Sequence, residues 1–365
     1  MNFDAIIIGA GPAGCSAGIE LAKKGWKIAI LEKSEFPRHK VCGEFFSPGI
    51  VPYWKKLGIY QKIKEAGALT VNRTALYFPD QKEISIEFTG TDYPAYTLSR
   101  FCFDKLMLDH ARESGCHIFS QTEALKISEC SEYCITTTKS SELRSTFIVM
   151  AAGKRHRFQK KSSRPQNGKI GFKRHYKSPC PPQNLELYFF PGGYLGLLPI
   201  ENSEINLCGI LKPLTFKKHR NNFDLLLTEI LKKHPNLKKR LETSSPSTPW
   251  LSCTTPKGSG ELTTKRVLWA GDGAYFLEPM IGQGMTMAMA CGILAAESLM
   301  TKKNPGKYFS KMTEKRLKTK RSFLSYLEPL GEMAAKVPKI SSYLAALILK
   351  PHVMEKILSN PDLLD

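Results

Sequence analysis

Apolar and polar positions along the chain fall into short unbroken apolar runs alternating with helical patterns. Residues 5–8 include three consecutive isoleucines, as a strand buried on both faces requires. A glycine-rich turn and an apolar helix follow, and residues 27–31 give a second strand. The spacing predicts a helix over 51–57 with Gly58 past its end. Residues 75–78 and 84–88 read as strands around a Pro79-Asp80 turn. A helix is expected over 103–115, its apolar side carrying Leu106, Met107 and Ala111. Further strands are predicted at 117–121, 135–138 and 146–152, then at 185–190, 194–199 and 205–211. Residues 222–231 give an amphipathic helix, and the Ser-, Thr- and Pro-rich stretch 244–260 reads as an irregular crossing. A strand at 267–270 then precedes a long helix starting near Met285. Strands alternating with helices imply an α/β fold, and 365 residues suffice for two domains.

The first βαβ unit carries the sharpest chemistry. Gly9, Gly11 and Gly14 form G-x-G-x-x-G, with Pro12 and Ala13 between the last two glycines. Gly9 permits the turn out of the strand, Gly11 lets a pyrophosphate approach the backbone, and Gly14 lets the helix lie close to the strand. Glu32 stands where a carboxylate holds a ribose hydroxyl pair. An acid there disfavours a 2′-phosphate, so the ligand expected is FAD or NAD rather than NADP. The alternative is an ordinary βαβ unit whose glycines serve packing alone.

Charge changes the picture more than composition does. Hydrophobic content of 42% is ordinary for a globular chain, but the net charge is +20. Such a balance suits an anionic partner. The basic stretch 154–169 reads as a solvated linker, with no stacking aromatics or recognisable module to favour nucleic acid. Residues 301–321 carry nine Lys or Arg and one acid, Glu314, and apolar helical patterning follows, from Leu324 to Ile348. These features allow peripheral contact with an anionic membrane. The run 343–349 is too short to span a bilayer, and a strand near the first residue leaves no room for a signal peptide, so a cytoplasmic location is expected. Ten scattered cysteines without ligand spacing imply reduced thiols and no metal site.

A longer motif follows Glu32. Lys33, Pro37, Arg38, Lys40, Cys42, Gly43 and Glu44 form K-x-x-x-P-R-x-K-x-C-G-E. In this position it resembles the flavoprotein superfamily of geranylgeranyl reductases, FixC-like dehydrogenases, flavin-dependent halogenases and aromatic hydroxylases, and the reductase branch most closely. That resemblance implies a Rossmann-like FAD domain of the GR2 type, built from 1–71, 99–155 and 262–300. An antiparallel sheet domain for the substrate (72–98 and 165–261) would cover the flavin, and a helical region (301–365) would follow. Lys33, Lys40, Cys42 and Gly43 would border the cofactor, with Cys42 and Glu44 nearest the reacting carbon. Arg100, before its helix, resembles the family's FAD-contacting arginine. Gly271-Asp272 resembles the G-D motif whose acid bonds the ribityl chain. Pro279, Gly282, Gly284 and Met285 would bring a helix N-terminus to the flavin ring, where reduced flavin is negative.

The chain also departs from the family. Ala152-Gly153 occupies the place of a second motif that usually holds an acid, which weakens the case for direct NADPH use. The W-x-W-x-x-P signature of halogenases is absent, and Leu195, Gly196 and Leu197 stand in the corresponding sheet. The resemblance thus implies an FAD-dependent oxidoreductase reducing a carbon–carbon double bond of an apolar, isoprenoid- or lipid-like substrate. Transient NAD(P)H or a redox protein would donate electrons. The alternatives are a monooxygenase working through a flavin hydroperoxide, then a halogenase, then a non-catalytic binding protein on a flavin scaffold.

Overall fold

The computed structural model describes residues 1–80, 82–88, 91–153, 158, 168–255, 262–276, 282–301 and 303–315. Pro279, most of the 154–169 stretch, and the C-terminal helices expected beyond residue 315 lie outside the described residues. Residues 305–315 are helical.

The first sheet is built around β1 (Asn2–Ile8). It runs parallel to β2 (Ile28–Leu31) on one side and to β11 (Glu142–Met150) on the other. β8 (His117–Phe119) extends it beyond β2, and β18 (Val267–Trp269) lies parallel to β11. Two antiparallel strands, β10 (Cys134–Thr137) and β9 (Lys126–Glu129), complete it. The isoleucine run is explained by cover on both faces: Ile7 packs on the helical side, and Ile6 and Ile8 on the other. The helical side holds α1 (Pro12–Ala22), α4 (Arg100–Glu113) and α8 (Gly284–Thr301). A Cβ at Gly292 would lie 2.1 Å from the Ala13 carbonyl oxygen, so α8 touches the backbone of α1. α2 (Val51–Leu57) ends at Gly58, which adopts φ +78°, and α3 (Tyr60–Glu65) follows. α8 is the one described helix long and apolar enough to cross a membrane, and most of it is buried inside the protein.

The second sheet has the order β16 (Ser245–Pro246), β12 (Ile170–Lys177), β15 (Glu204–Leu211), β14 (Gly193–Ile200), β13 (Leu185–Phe190), β5 (Arg73–Tyr77), β6 (Glu83–Glu87). β17 (Leu251–Thr254) pairs with β12 as well. All pairs are antiparallel except β5 with β13. Two expectations change here. The stretch 244–260 was expected to be irregular, yet it supplies β16 and β17, because the edge of β12 offers free backbone groups to pair. The sheet is mixed rather than wholly antiparallel, because β5 arrives from the first half of the chain.

One face of this sheet is covered by α6 (Phe223–Lys233) and α7 (Pro235–Glu242), with α5 (Pro213–Lys218) at its margin. Asn222 caps α6 by accepting from the Asp224 and Leu225 amides. The opposite face carries Leu76, Leu185, Leu187, Phe189 and Leu198. A third, small sheet joins β3 (Phe45–Phe46), β7 (Ala95–Thr97) and β4 (Leu69–Val71). It ties the segment after Glu44 to the start of α4.

Candidate active site

Between the first two sheets lies a cavity of about 580 Å³, a size typical of a ligand site. Its walls include Gly9, Gly11, Pro12, Ala13, Glu32, Lys33, Lys40, Cys42, Gly43, Glu44, Arg100, Asp272, Gly282, Gly284 and Met285. Of the residues singled out from sequence, Gly14 lies behind the wall and Pro279 falls outside the described residues.

The glycine turn is shaped by close approach. A Cβ on Gly14 would sit 1.9 Å from the Gly9 carbonyl oxygen, and one on Gly9 (φ +103°) would sit 2.4 Å from that of Ala151. A Cβ on Gly11 would meet nothing within 4 Å, so bare backbone faces the cavity at the start of α1. Glu32 is buried and fixed from both sides: Oε2 accepts from the Ala10 amide and Oε1 from the Ser34 amide, each at 2.9 Å. Each oxygen keeps a second lone pair for a hydroxyl. At the far end Gly282 adopts φ +64°, with the Phe45 ring where a side chain would go, and α8 begins at Gly284 against the cavity.

Three cations line one side. Arg100 is the first residue of α4 rather than the residue before the helix, and its guanidinium grips Asp104 in a fork at 2.6 and 2.7 Å. Arg38 donates to the same carboxylate at 2.8 Å. Lys40 is accessible at the cavity wall, yet burial of its ammonium, then the charges of Arg38 and Arg100, push it down to about 8. Three cations facing one fully buried carboxylate leave positive charge for an anion beside the glycine turn.

Glu44 occupies a different setting. It adopts φ +57° and is fully buried. Its Oε1 accepts from the Arg100 amide at 2.6 Å and from the Lys173 ammonium, and Oε2 bonds His175 Nε2 at 2.7 Å. Lys173 and His175 are also buried, on β12 of the second sheet. Burial works to raise the Glu44 pKa, but Lys173 and His175 together hold it below the usual carboxylate range. On the neighbouring strand, Asn206 Nδ2 donates to the Cys42 carbonyl at 3.0 Å. The Cys42–Glu44 segment is therefore clamped to the second sheet from two strands. Cys42 stays half-buried at the wall, its sulfur 4.0 Å from that of Met285.

Sequence reasoning missed Lys173, His175 and Asp104. The signal for Asp104 was the i,i+4 spacing from Arg100. For β12 it was period two: Gly171, Lys173 and His175 share one face, and Phe172 and Tyr176 the other.

The FAD binding domain family matches residues 2–302 of the chain. The chain belongs to that family. The flavoenzyme is 24% identical to the menaquinone reductase of Mycobacterium tuberculosis, over 82% of this chain and 76% of that one. It is also 24% identical to a 1H-pyrrole-2-carbonyl-[peptidyl-carrier protein] chlorinase of Pseudomonas fluorescens, with the same coverage. The flavin-dependent halogenase armH3 of Armillaria mellea is 35% identical, over 35% of this chain and 26% of its own length. Among solved structures, a geranylgeranyl bacteriochlorophyll reductase-like protein from Thermoplasma acidophilum superposes with TM-score 0.80 at 19% identity, covering 100% of this chain and 98% of that one. The flavin-dependent brominase Bmp2 superposes with TM-score 0.78 at 21% identity, over the whole of both chains. These likenesses place the chain among FAD-dependent oxidoreductases.

The cavity fits that cofactor. The glycine cradle admits only backbone, Glu32 suits a ribose, and the three cations suit a diphosphate. Lys40 gives a first test. In the free protein it loses its proton above about 8, and a diphosphate binds the ammonium form. FAD affinity should therefore fall as pH rises past that value, by up to about tenfold per pH unit. Titrating apoprotein with FAD between pH 7 and 10 by flavin fluorescence checks it. Lys40→Met should bind more weakly at neutral pH and show a flat profile.

Proposed function

We propose that this flavoenzyme reduces a carbon–carbon double bond of an apolar, isoprenoid- or lipid-like substrate. The observation that carries the reading is the cavity wall formed by the second sheet. There Leu76, Ile86, Leu185, Leu187, Phe189 and Leu198 face the cavity from strands whose other faces are packed against helices or solvent, and Phe78 joins them just past the end of β5. Such a wall holds a hydrocarbon by burial, with Thr74 and Tyr194 as polar groups among its apolar side chains. The relative named for menaquinone reduction supports the same direction.

Bound FAD, once reduced by NAD(P)H or a redox-protein donor, would supply the hydride, with a proton completing the saturated product. The chain's own residues do the rest. Glu32 would hold the ribose, and the Gly11 backbone, Arg38 and Lys40 the diphosphate. The N-terminus of α8 at Gly284 would offset negative charge near the flavin ring. The apolar strands orient the substrate and keep water out. Glu44, locked in its ion cluster, positions Cys42 and Gly43 at the wall.

Oxygen-dependent halogenation is a second reading, favoured by the likeness to the chlorinase over 82% of this chain. Anaerobic reduction with dithionite, followed by addition of isoprenoid alkenes, separates the two. Reoxidation of the flavin without oxygen, with a product two mass units heavier than the alkene, supports the reductase. No reoxidation by any alkene, together with a halogenated product formed only with oxygen and halide, would replace it.

A further inference from the structure

The margin of the second sheet carries a surface that the cavity chemistry does not use. Residues 212–242 hold nine Lys or Arg against three acids, Asp224, Glu229 and Glu242. Three of the cations are satisfied: Lys233 by Glu229, Lys238 by Glu242 and Arg240 by Glu186. Among the described residues Lys217, Lys218, Arg220 and Lys239 have no acidic partner, and Lys232 shares the charge of Glu229 with Lys233. On the same helices Leu214 is 71% exposed and Leu225 is 47% exposed. α5 buries none of its residues and holds Leu214 clear of the protein. It is nonetheless fixed in place. The Lys212 amide donates to the Gly192 carbonyl at 2.8 Å, and Phe216 stacks on Phe223 with ring centres 4.4 Å apart. Gly192 lies in the turn between β13 and β14, two residues before Tyr194, which lines the apolar cavity.

We propose that the surface of α5, α6 and α7 seats on an anionic lipid bilayer. Unpaired ammonium and guanidinium groups seek phosphate, and an exposed leucine seeks hydrocarbon. The headgroup boundary of an anionic bilayer offers both within a few ångströms. Through the Gly192 turn this surface is continuous with the sheet end that borders the cavity, so docking would bring the cavity beside the medium in which an apolar substrate dissolves. The choice of a bilayer rests on the apolar-substrate reading, but binding is measured without turnover, so the two can fail separately.

The test is flotation of full-length FAD-loaded protein with vesicles of phosphatidylcholine alone or mixed with phosphatidylglycerol. Binding is expected only to the anionic vesicles, weakening as salt is raised. Reversal at Lys217→Glu with Lys218→Glu should weaken it at least about tenfold. Leu214→Ser should weaken it several-fold with charge unchanged. Both variants lie on the surface and should keep flavin content and thermal stability, which serves as the folding control. Equal binding by wild type and both variants would overturn the assignment. So would failure to bind anionic vesicles while the same lysines are needed to capture an acidic carrier protein. Vesicle binding without alkene reduction would leave the surface standing and remove only the substrate reading.

Discussion

Glu44→Ala is expected to lower the free energy of unfolding by about 3–5 kcal/mol, the usual consequence of leaving buried charges unpaired. It strands the Lys173 ammonium and the His175 ring, to which no other acid among the described residues bonds closely; Glu204 approaches His175 Nδ1 only to 3.7 Å. It also frees a residue held at φ +57°, a conformation that costs a non-glycine residue about 1–3 kcal/mol and persists because its surroundings enforce it. The Cys42–Gly43 wall should therefore lose its position, and flavin content should fall along with stability. Glu44→Gln should be milder, since it keeps an oxygen for the Arg100 amide. Glu44→Gln combined with Lys173→Met should recover stability relative to Glu44→Ala, because no charge is then stranded. The pH dependence has a definite sign. The folded-state pKa lies below the unfolded value of 4.5, so the stabilisation is complete above that pH and disappears as pH falls through the folded value. Urea titrations followed by circular dichroism at pH 7 and at pH 3 measure both effects. A cost under about 1 kcal/mol at pH 7 would mean that the cluster acts like a surface pair.

Gly14→Ala should yield protein that binds FAD about ten to a hundred times more weakly. The added carbon would overlap the Gly9 carbonyl oxygen, at 1.9 Å, and neither atom can swing aside, because the backbone fixes where a Cβ sits and the oxygen belongs to the backbone itself. Gly9 in turn donates its amide to the Leu31 carbonyl at 2.8 Å and abuts Ala151, so the overlap must spread into three strands. Overpacking of this kind costs about 1–3 kcal/mol, and each 1.4 kcal/mol is tenfold in affinity. Gly11→Ala is the matched comparison. Its carbon would meet no protein atom within 4 Å but would enter the cavity, so it should spare the fold and weaken the ligand. Thermal melts of the two apoproteins beside FAD titrations separate the effects. Equal melting temperatures for both variants would contradict the packing role given to Gly14.

The first sheet was legible because its chemistry is local. Strand, glycine turn, helix and acid lie within residues 3–32, and each step has its own sequence rule. The residues that converge at the cavity wall were legible for the same reason, since Gly9, Gly11 and Glu32 follow one another in a single unit. The ion cluster at Glu44 was not. Its partners stand about 130 positions away on β12, a strand hidden because its cavity-side positions are occupied by lysine and histidine rather than by apolar residues. Buried charge mimics the exposed face of a strand in any periodicity count. The buried ion partners of Glu44 were therefore unreadable from the pattern. Similarly, β16 and β17 have little propensity of their own and exist because β12 presents an edge.

The pairing order of the first sheet bears on how the protein is made. β1 is complete within the first eight residues, but its neighbour β11 ends at Met150 and the next strand, β18, ends at Trp269. α1 likewise lacks its companion α8 until residue 284 has been synthesised. The nucleotide-binding half therefore cannot close as it leaves the ribosome. It must wait, apolar strand exposed, while the whole second sheet is inserted between its parts. Long-range parallel pairing of this kind is slow and prone to aggregation. Yield in a heterologous host should consequently depend on chaperone supply during elongation more than on the stability of the finished fold.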